Sequence, residues 1–293
     1  MTGFWRSSLD PEHVMSTYVT RWQDDEWGQR EEHLTVEEPL EIRLGGHSLA
    51  VIMRTPGYDD ELAAGFLLSE GVIQDAGEIL EVRPACDDDG LPQANVVEVT
   101  LREQSMSEAA TSAFQRHFAV SASCGLCGKD SIAAVLSASE PLMEDASHFR
   151  VPAVCLYELP ARLREAQAVF THTGGLHAAG LFNVRGELLL LREDVGRHNA
   201  VDKLIGHGVL HATLPYSRSI LLVSGRTSFE IIQKALRARI PCIAAISAPS
   251  SLAVELAEQG GITLIGFLRG RTMNVYTHPE RITENGSESS VHS

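Results

Sequence analysis

The sequence predicts an α/β fold in which helices cover a largely parallel sheet. From residue 219 onward, short apolar runs alternate with helical patterns, and strand–helix–strand repeats of this kind build parallel sheets. The first half of the chain carries a hairpin signal instead, which predicts a smaller α+β lobe. The composition, 44% hydrophobic and 22% charged over 293 residues, is ordinary for a globular protein of one large domain or two fused lobes.

Neither end of the chain has a regular pattern. Residues 1–30 contain Trp5, Trp22 and Trp27 without a sustained hydrophobic period, so we expect a flexible lead there. Residues 283–293 are small and polar, which predicts a disordered tail.

The N-terminal α+β lobe is expected over residues 31–120. Residues 40–44 and 49–53 alternate apolar and polar side chains around Gly45-Gly46, and paired glycines accept the positive φ values of a tight hairpin turn. Over residues 55–71, acidic residues followed by apolar positions at helical spacing predict a helix that stops at the final glycine.

The cysteine-containing segment joins this lobe to the C-terminal domain. A strand is predicted at residues 96–101 and a helix at 108–118. Residues 121–140 are expected to form a mobile cysteine loop and a following helix, because their glycines free the backbone. The C-terminal α/β domain is then expected over residues 141–282.

The C-terminal domain begins with two strands within residues 178–194 that turn at Arg185-Gly186, followed by a helix from about Asn199. The alternation then predicts strands at 219–224, 242–247 and 262–267 and helices at 229–239 and 252–259. Ligands of parallel sheets gather at the carboxyl ends of the strands, where helix N-termini present free N–H groups. Here these positions are the turns 224–228 and 247–251.

The charge of the chain limits its partners. A formal net charge of −15 argues against general binding to nucleic acid or anionic membranes, because phosphate-rich partners require clustered lysines and arginines. No stretch of about 18 apolar residues and no signal-peptide pattern occurs, so we expect a cytoplasmic protein without a membrane partner. Any anionic ligand must therefore be met by a local basic pocket.

Two of the five cysteines, Cys124 and Cys127, form a C-x-x-C pair among glycines and serines. The other three, Cys86, Cys155 and Cys242, lie singly, so structural disulfides are not expected in a reducing cytosol. Cys155 and Cys242 lie in apolar or helical surroundings and are expected to act as small buried hydrophobes.

A metal site at the C-x-x-C pair is not favoured. Structural zinc requires four ligands, and the chain has one such pair, although a mixed site with His172, His177 and His198 stays open. The zinc deaminase signature also needs H-x-E upstream, whereas the only match, at residues 278–280, lies downstream. We therefore expect no tightly held metal.

The Cys124–Cys127 pair could instead perform thiol redox chemistry or carry a transferred atom. A thioredoxin-like site would follow an early strand in a small domain, and this pair lies in mid-chain. Lys129 and the start of the following helix favour the thiolate forms, so the segment is interpreted as a mobile loop with two nucleophilic thiols. Two idle thiols are the alternative.

Basic and hydroxyl side chains cluster in the predicted turns. Ser224 and Arg226 lie in the turn after one strand, and Arg269 and Arg271 flank Gly270 after the last strand. Arginines beside helix N-termini suit phosphate groups, although a serine there is often only a helix cap.

The segment EDVGRHNAVDK, residues 193–203, allows two interpretations. Asp194 and Asp202 bracket Arg197, His198 and Lys203, which fits either a ligand site or a helix start joined by salt bridges. The Gly-Gly turn of THTGGLHAA carries two histidines, which taken alone is a weak signal.

Several motifs occur together in the order found in one known family. They are GFLLSEGVI, CGLCG, TGGLHAA, EDVGRHNAVDK, SGRTSFE, ISAPSSLAVELAE and LIGFLRGRTMNVYTHPERI. With these motifs the chain resembles the FdhD family of formate dehydrogenase accessory proteins, which are sulfur carriers, over residues 38–282.

The resemblance implies a cytidine-deaminase-like three-layer α/β sandwich without the catalytic zinc. It implies a sulfurtransferase that accepts a persulfide from a cysteine desulfurase and passes its sulfur to the molybdenum cofactor, bis-molybdopterin guanine dinucleotide. The sulfurated cofactor then serves formate dehydrogenase. By this similarity, Cys124 bears the persulfide and Cys127 is its partner.

The same resemblance implies that the guanine-nucleotide part of the cofactor binds at Phe267, Leu268, Arg269, Gly270, Arg271 and Thr272. We assign Arg226, Arg269 and Arg271 to its pyrophosphates and expect Ser224, His177 and His198 at the site. Whether the two histidines and Asp194 touch the cofactor or only shape the pocket stays open.

Two other functions compete with sulfur transfer. One is a chaperone that inserts the molybdenum cofactor while its cysteines serve only for docking, and the other is a dithiol oxidoreductase. A homodimer is compatible with either.

Overall fold

A computed structural model describes residues 13–102, 141–142 and 148–284. Its N-terminal half contains a long hairpin and a four-stranded sheet of order β4-β3-β6-β5. The elements are β1 (Val14–Gln23), β2 (Glu26–Thr35), β3 (Glu38–Leu44), β4 (His47–Arg54), α1 (Asp59–Glu70), β5 (Ile79–Cys86) and β6 (Pro92–Leu101). Strand β3 pairs antiparallel with β4 and parallel with β6.

The C-terminal half is built on a six-stranded sheet of order β13-β12-β11-β10-β8-β9. Its elements are β7 (Val151–Pro152), α2 (Ala153–Ala166), α3 (Ala168–Thr173), β8 (His177–Asn183), β9 (Leu188–Asp194), α4 (Arg197–Leu210), β10 (Ser219–Val223), α5 (Phe229–Arg237), β11 (Cys242–Ala245), α6 (Ser251–Gly260), β12 (Thr263–Arg269), β13 (Thr272–Val275) and β14 (Ile282–Thr283). The three central strands β10, β11 and β12 are parallel, as predicted.

Helices cover both faces of this sheet. On β10, Ile220 and Leu222 pack into one core with α2, whereas Leu221 and Val223 face the core that holds α4, α5 and α6. The second core continues into α1 and the four-stranded sheet. The predicted α/β architecture is confirmed; the more specific cytidine-deaminase-like arrangement stays a prediction.

Helix α1 matches its predicted extent. Asp59, Asp60 and Glu61 occupy its first turn, where negative charge favours the helix N-terminus. It ends at Gly71, whose left-handed φ of 77° lets its N–H cap two carbonyls of the last turn.

Two glycines let α1 and α4 touch through their backbones. A Cβ added to Gly65 would lie 1.9 Å from the Asp202 carbonyl oxygen, and one added to Gly206 would lie 1.7 Å from the Glu61 carbonyl oxygen. Neither position has room for any side chain unless the helices separate.

Strands β1 and β2 form a hairpin within residues 14–35, whereas the sequence predicts a flexible lead over residues 1–30. Both faces of this ribbon are largely exposed, with Tyr18 and Trp27 more than 70% accessible. Without a buried face, the strands carry no alternation of apolar and polar residues that could reveal them.

None of the helices in the described ranges is long and apolar enough to cross a membrane. The predicted helix at residues 108–118 and the cysteine loop with its helix, residues 121–140, lie outside the described residues, as does most of the tail.

Candidate functional site

The turns that follow β10, β11 and β12 meet at one edge of the large sheet. Thr227 N donates to Ala248 O at 3.3 Å, and Ser250 N donates to Thr227 O at 3.0 Å, so the first two turns are joined. Phe267 N donates to Ser247 O at 3.1 Å and connects the third. The strand–helix alternation of the sequence predicts ligand contacts at this edge.

Ser224 anchors the first turn to β8. Its Oγ accepts a hydrogen bond from Ala178 N at 2.9 Å, and its own N–H donates to Ala178 O at 3.0 Å. The Ser224 hydroxyl can still donate a hydrogen bond to a ligand. Its observed contacts hold the turn against β8.

His177 and Arg197 pack against Gly225 in the same turn. A Cβ at Gly225 would lie 3.3 Å from His177 Nδ1 and 3.5 Å from Arg197 Cδ, so glycine leaves room for both side chains. Burial, and then the positive charge of Arg197, lower the pKa of His177. The imidazole is therefore neutral at pH 7 and offers a hydrogen bond without a charge.

His198 forms a small network with two residues at the start of α5. Its Nε2 lies 3.0 Å from Ser228 Oγ and 3.0 Å from Glu230 Oε2, and Ser228 Oγ donates to Glu230 Oε2 at 2.7 Å. The hydrogen bond from His198, helped by that from Ser228, lowers the pKa of Glu230 to about 2. Glu230 is thus ionised and holds the His198 ring towards the turn.

Arg197 is a second basic residue at this turn, and no ion pair joins it to a carboxylate within the described residues. Its Nε is buried and has no hydrogen-bond partner within the described part of the chain, and neither has the buried Thr227 Oγ1. Arg54 and Arg192 are instead paired with Asp59 and Glu61, while the buried Nε of Arg237 is unbonded like that of Arg197. The charge of Arg197 helps to lower the pKa of nearby Glu230, and its unbonded Nε suits an anionic ligand.

The residues at the end of β12 divide by exposure. Leu268 is fully buried in the core beside α2, so only its backbone can meet a ligand, while Phe267 is 41% exposed. The strand has a bulge between Gly266 and Arg269, and Phe267 has a positive φ of 53°. This irregular backbone allows the neighbouring side chains of Phe267 and Leu268 to differ in exposure.

The three predicted arginines take different positions at this edge. Arg226 is exposed in the first turn. Arg269 Nε donates to Ile246 O at 3.1 Å and so connects β12 to the end of β11. Arg271 lies over the Tyr157 ring at 5.6 Å, close to α2.

The turn between β12 and β13 is closed by its own residues. Gly270 has φ 53°, and Thr272 Oγ1 donates to Arg269 O at 3.0 Å.

The motif at residues 193–203 contains residues joined by salt bridges and residues that face the candidate site, which are the two interpretations that the sequence allows. Asp194 is fully buried, pairs with Lys203 at 2.7 Å and accepts from Thr55 N at 3.2 Å, so it shapes the fold. Asp202 pairs with Lys234 at 2.9 Å. Arg197 and His198 instead face the turn.

The sequence does not predict Ser228 and Glu230 as partners of His198. Their side chains meet His198 from an element 30 residues away, and no local pattern reports that contact. The acid in the first turn of α5 was the available signal.

Cys124 and Cys127 lie outside the described residues. Of the cysteines within them, Cys242 is buried as expected, and burial raises its pKa to about 12, which keeps it a thiol. Cys155 is partly buried in α2 and Cys86 is exposed on β5.

Comparison with known proteins gives one consistent family. Residues 35–283 match the model of the FdhD/NarQ family. The chain is 51% identical over 266 residues to the Sulfur carrier protein FdhD of Streptomyces avermitilis, covering 90% of this chain and 94% of that protein. It is 44% identical over 269 residues to the protein of the same name from Sulfolobus acidocaldarius, covering 92% and 98%.

A solved structure is also similar. The crystal structure of a protein from Desulfotalea psychrophila, described as a formate dehydrogenase accessory protein, superposes with a TM-score of 0.71 at 25% identity. The match covers 92% of this chain and all of the other.

Proposed function

The chain belongs to the FdhD/NarQ family, and from that premise we propose that it is a sulfur carrier that serves a formate dehydrogenase. The observation that carries this proposal is the name shared by relatives about half identical over nine-tenths of the chain, Sulfur carrier protein FdhD. The accessory role of the similar solved structure agrees with it.

We assign the sulfur-accepting step to Cys124. Its thiolate attacks the outer sulfur of a persulfide on a cysteine desulfurase, which forms a new S–S bond and releases the desulfurase cysteine as a thiolate. The sulfur remains in the sulfane state, so this step consumes no electrons. An accessible thiol of lowered pKa is the chemical requirement, and the glycines and Lys129 around Cys124 support it.

Cys127 is proposed to release the sulfur. Its thiolate attacks Cys124 Sγ, the Cys124–Cys127 disulfide forms, and the outer sulfur leaves as sulfide towards molybdenum. The two electrons gained by that sulfur come from the two cysteines. A dithiol reductant must then reopen the disulfide before the next transfer.

The acceptor is proposed to be bis-molybdopterin guanine dinucleotide, a substrate here and not a resident group. The guanine-nucleotide part is assigned to residues 267–272, with Arg226, Arg269 and Arg271 near its pyrophosphates. The turn that carries Arg197, His177 and His198 is added as a contact for its anionic part, with Arg197 supplying the positive charge, since Arg197 Nε has no hydrogen-bond partner among the described residues.

Mass spectrometry tests the carrier function directly. The protein is incubated with a cysteine desulfurase and cysteine, and the peptide with Cys124 is expected to gain the mass of one sulfur atom. Cys124→Ser should abolish this gain. Cys127→Ala should keep the loading and slow delivery to the cofactor, and equal delivery by that variant would refute the relay.

The same experiment separates the rival functions. An unmodified Cys124 thiol in a protein that still binds the cofactor would favour an insertion chaperone without sulfur transfer. Turnover of disulfide substrates without any cofactor would favour a dithiol oxidoreductase.

A further inference from the structure

Two histidines and a glutamate meet at the opposite end of α4 from the candidate site. Glu61 lies in the first turn of α1, His207 in the last turn of α4, and His211 directly after it. A helix of 14 residues is about 20 Å long, so this group is well separated from Arg197 and His198.

His207 is already oriented as metal-binding histidines are. Its Nδ1 lies 2.9 Å from Glu61 Oε1 and 3.3 Å from Arg192 Nη2, which leaves the other ring nitrogen without a partner among the described residues. Histidines that bind metals typically donate one ring N–H to a carboxylate, because this fixes the ring and makes the free nitrogen more basic.

Glu61 itself is committed to other partners. Arg192 donates to both of its oxygens, with Nη2 at 2.6 Å from Oε1, and the guanidinium lies 4.0 Å from the centre of the Tyr58 ring. The Glu61 and Arg192 charges therefore compensate each other. Glu61 is a positioning residue for His207 and not itself a ligand.

His211 completes the pair. It follows His207 by four residues, which places both rings on one side of the helix, and their centroids are 4.2 Å apart. One nitrogen or oxygen atom each from Glu61, His207 and His211 lies within 4.8 Å of the others. Zinc–nitrogen bonds of about 2.1 Å hold two nitrogens no more than about 4.2 Å apart, and the exposed His211 ring is free to make a small rotation.

We propose that His207 and His211 bind a divalent transition-metal ion of the zinc type, with water completing its coordination. Imidazole ligands select zinc, copper or nickel over magnesium and calcium. The C-terminal end of α4 also favours a cation, because its last carbonyls carry partial negative charge. The site is independent of the cysteine pair and of sulfur transfer.

Calorimetry with zinc chloride tests the site on the full chain without a polyhistidine tag. Because Cys124 and Cys127 would also bind zinc, the measurement uses the Cys124→Ser/Cys127→Ser variant. This protein is expected to bind one zinc ion. Adding His211→Ala should weaken binding at least tenfold, whereas His47→Ala, at the exposed start of β4, should leave it unchanged.

A second readout guards against loss of fold. Zinc should raise the melting temperature of the cysteine-free protein and not that of its His211→Ala derivative, whose circular dichroism should be unaltered. Equal zinc affinity with and without His211, or no saturable binding by the cysteine-free protein, would overturn the proposal. Neither outcome bears on persulfide loading, which is measured separately on the unaltered cysteines.

Discussion

The contact between α1 and α4 and the turn after β10 use charge in opposite ways. Beside this contact, Lys203 of α4 pairs with Asp194 of β9 and Asp202 of α4 pairs with Lys234 of α5, all four of them buried. At the turn, the buried Nε of Arg197 has no partner among the described residues. One motif of 11 residues, 193–203, supplies charges to both regions. The paired charges reach the N-terminal half through hydrogen bonds to the Thr55 backbone and to Ser69, whereas Arg197 Nε stays unbonded within the described residues.

Breaking the buried ion pair between Lys203 and Asp194 should have the largest effect on stability. Lys203→Met keeps the apolar stem but leaves the Asp194 carboxylate buried without its countercharge. We expect the free energy of unfolding to fall by about 3–5 kcal/mol. Urea unfolding measures this, with Arg83→Met on the exposed face of β5 as the control. A loss below about 1 kcal/mol would mean that Asp194 is compensated by other groups.

A methyl group between the helices should have the next largest effect. In Gly206→Ala, the new Cβ would overlap the Glu61 carbonyl oxygen, so the helices must move apart. We expect a loss of about 1–3 kcal/mol in urea unfolding. Gly28→Ala is the matched control, because no atom lies within 4 Å of a Cβ at that position. Equal stability of the two variants would contradict the backbone contact.

At the turn after β10, a substitution should affect ligand affinity more than stability. Arg197→Met is expected to leave the melting temperature almost unchanged and to weaken binding of GDP, a probe for the nucleotide part of the cofactor, by about tenfold, or about 1.4 kcal/mol. Calorimetry measures the affinity. Arg185→Met, at the exposed turn between β8 and β9, should bind GDP as the wild type does. An unchanged affinity in Arg197→Met would remove Arg197 from the site.

The smallest expected effect is a pH dependence at Glu230. Its pKa is about 2 in the folded chain against an ordinary value of 4.5, so its contribution to stability is complete above pH 4.5 and is lost as the pH falls towards 2. Glu230→Gln should cost about 1 kcal/mol at pH 7, and the difference from wild type should vanish near pH 2. A constant difference across that range would show that the cost comes from packing and not from charge.

Local patterns in the sequence were sufficient for the elements with a buried face. The three parallel strands and helices α5 and α6 were predicted because apolar periodicity is a local property, and α1 because its acidic start and its terminal glycine lie within one segment. The exposed β1–β2 hairpin has no buried face and left no such pattern.

The candidate site was predictable in place but not in detail. The carboxyl edge of the sheet follows from the strand–helix alternation alone. The partnership of His198 with Glu230, the burial of Leu268 beside exposed neighbours, and the pairing of Asp194 with the Thr55 backbone all depend on contacts between distant segments. Those contacts exist only in the folded chain.

The glycine contact between α1 and α4 also limits how the chain can be repaired. When a side chain is too large for its place in a core, a smaller neighbour can restore the fit. Gly65 and Gly206 face carbonyl oxygens of the opposite helix, and no substitution can make a backbone carbonyl smaller. A larger residue at either position therefore has no compensating substitution across the contact, and only a change in the path of a helix can accommodate it.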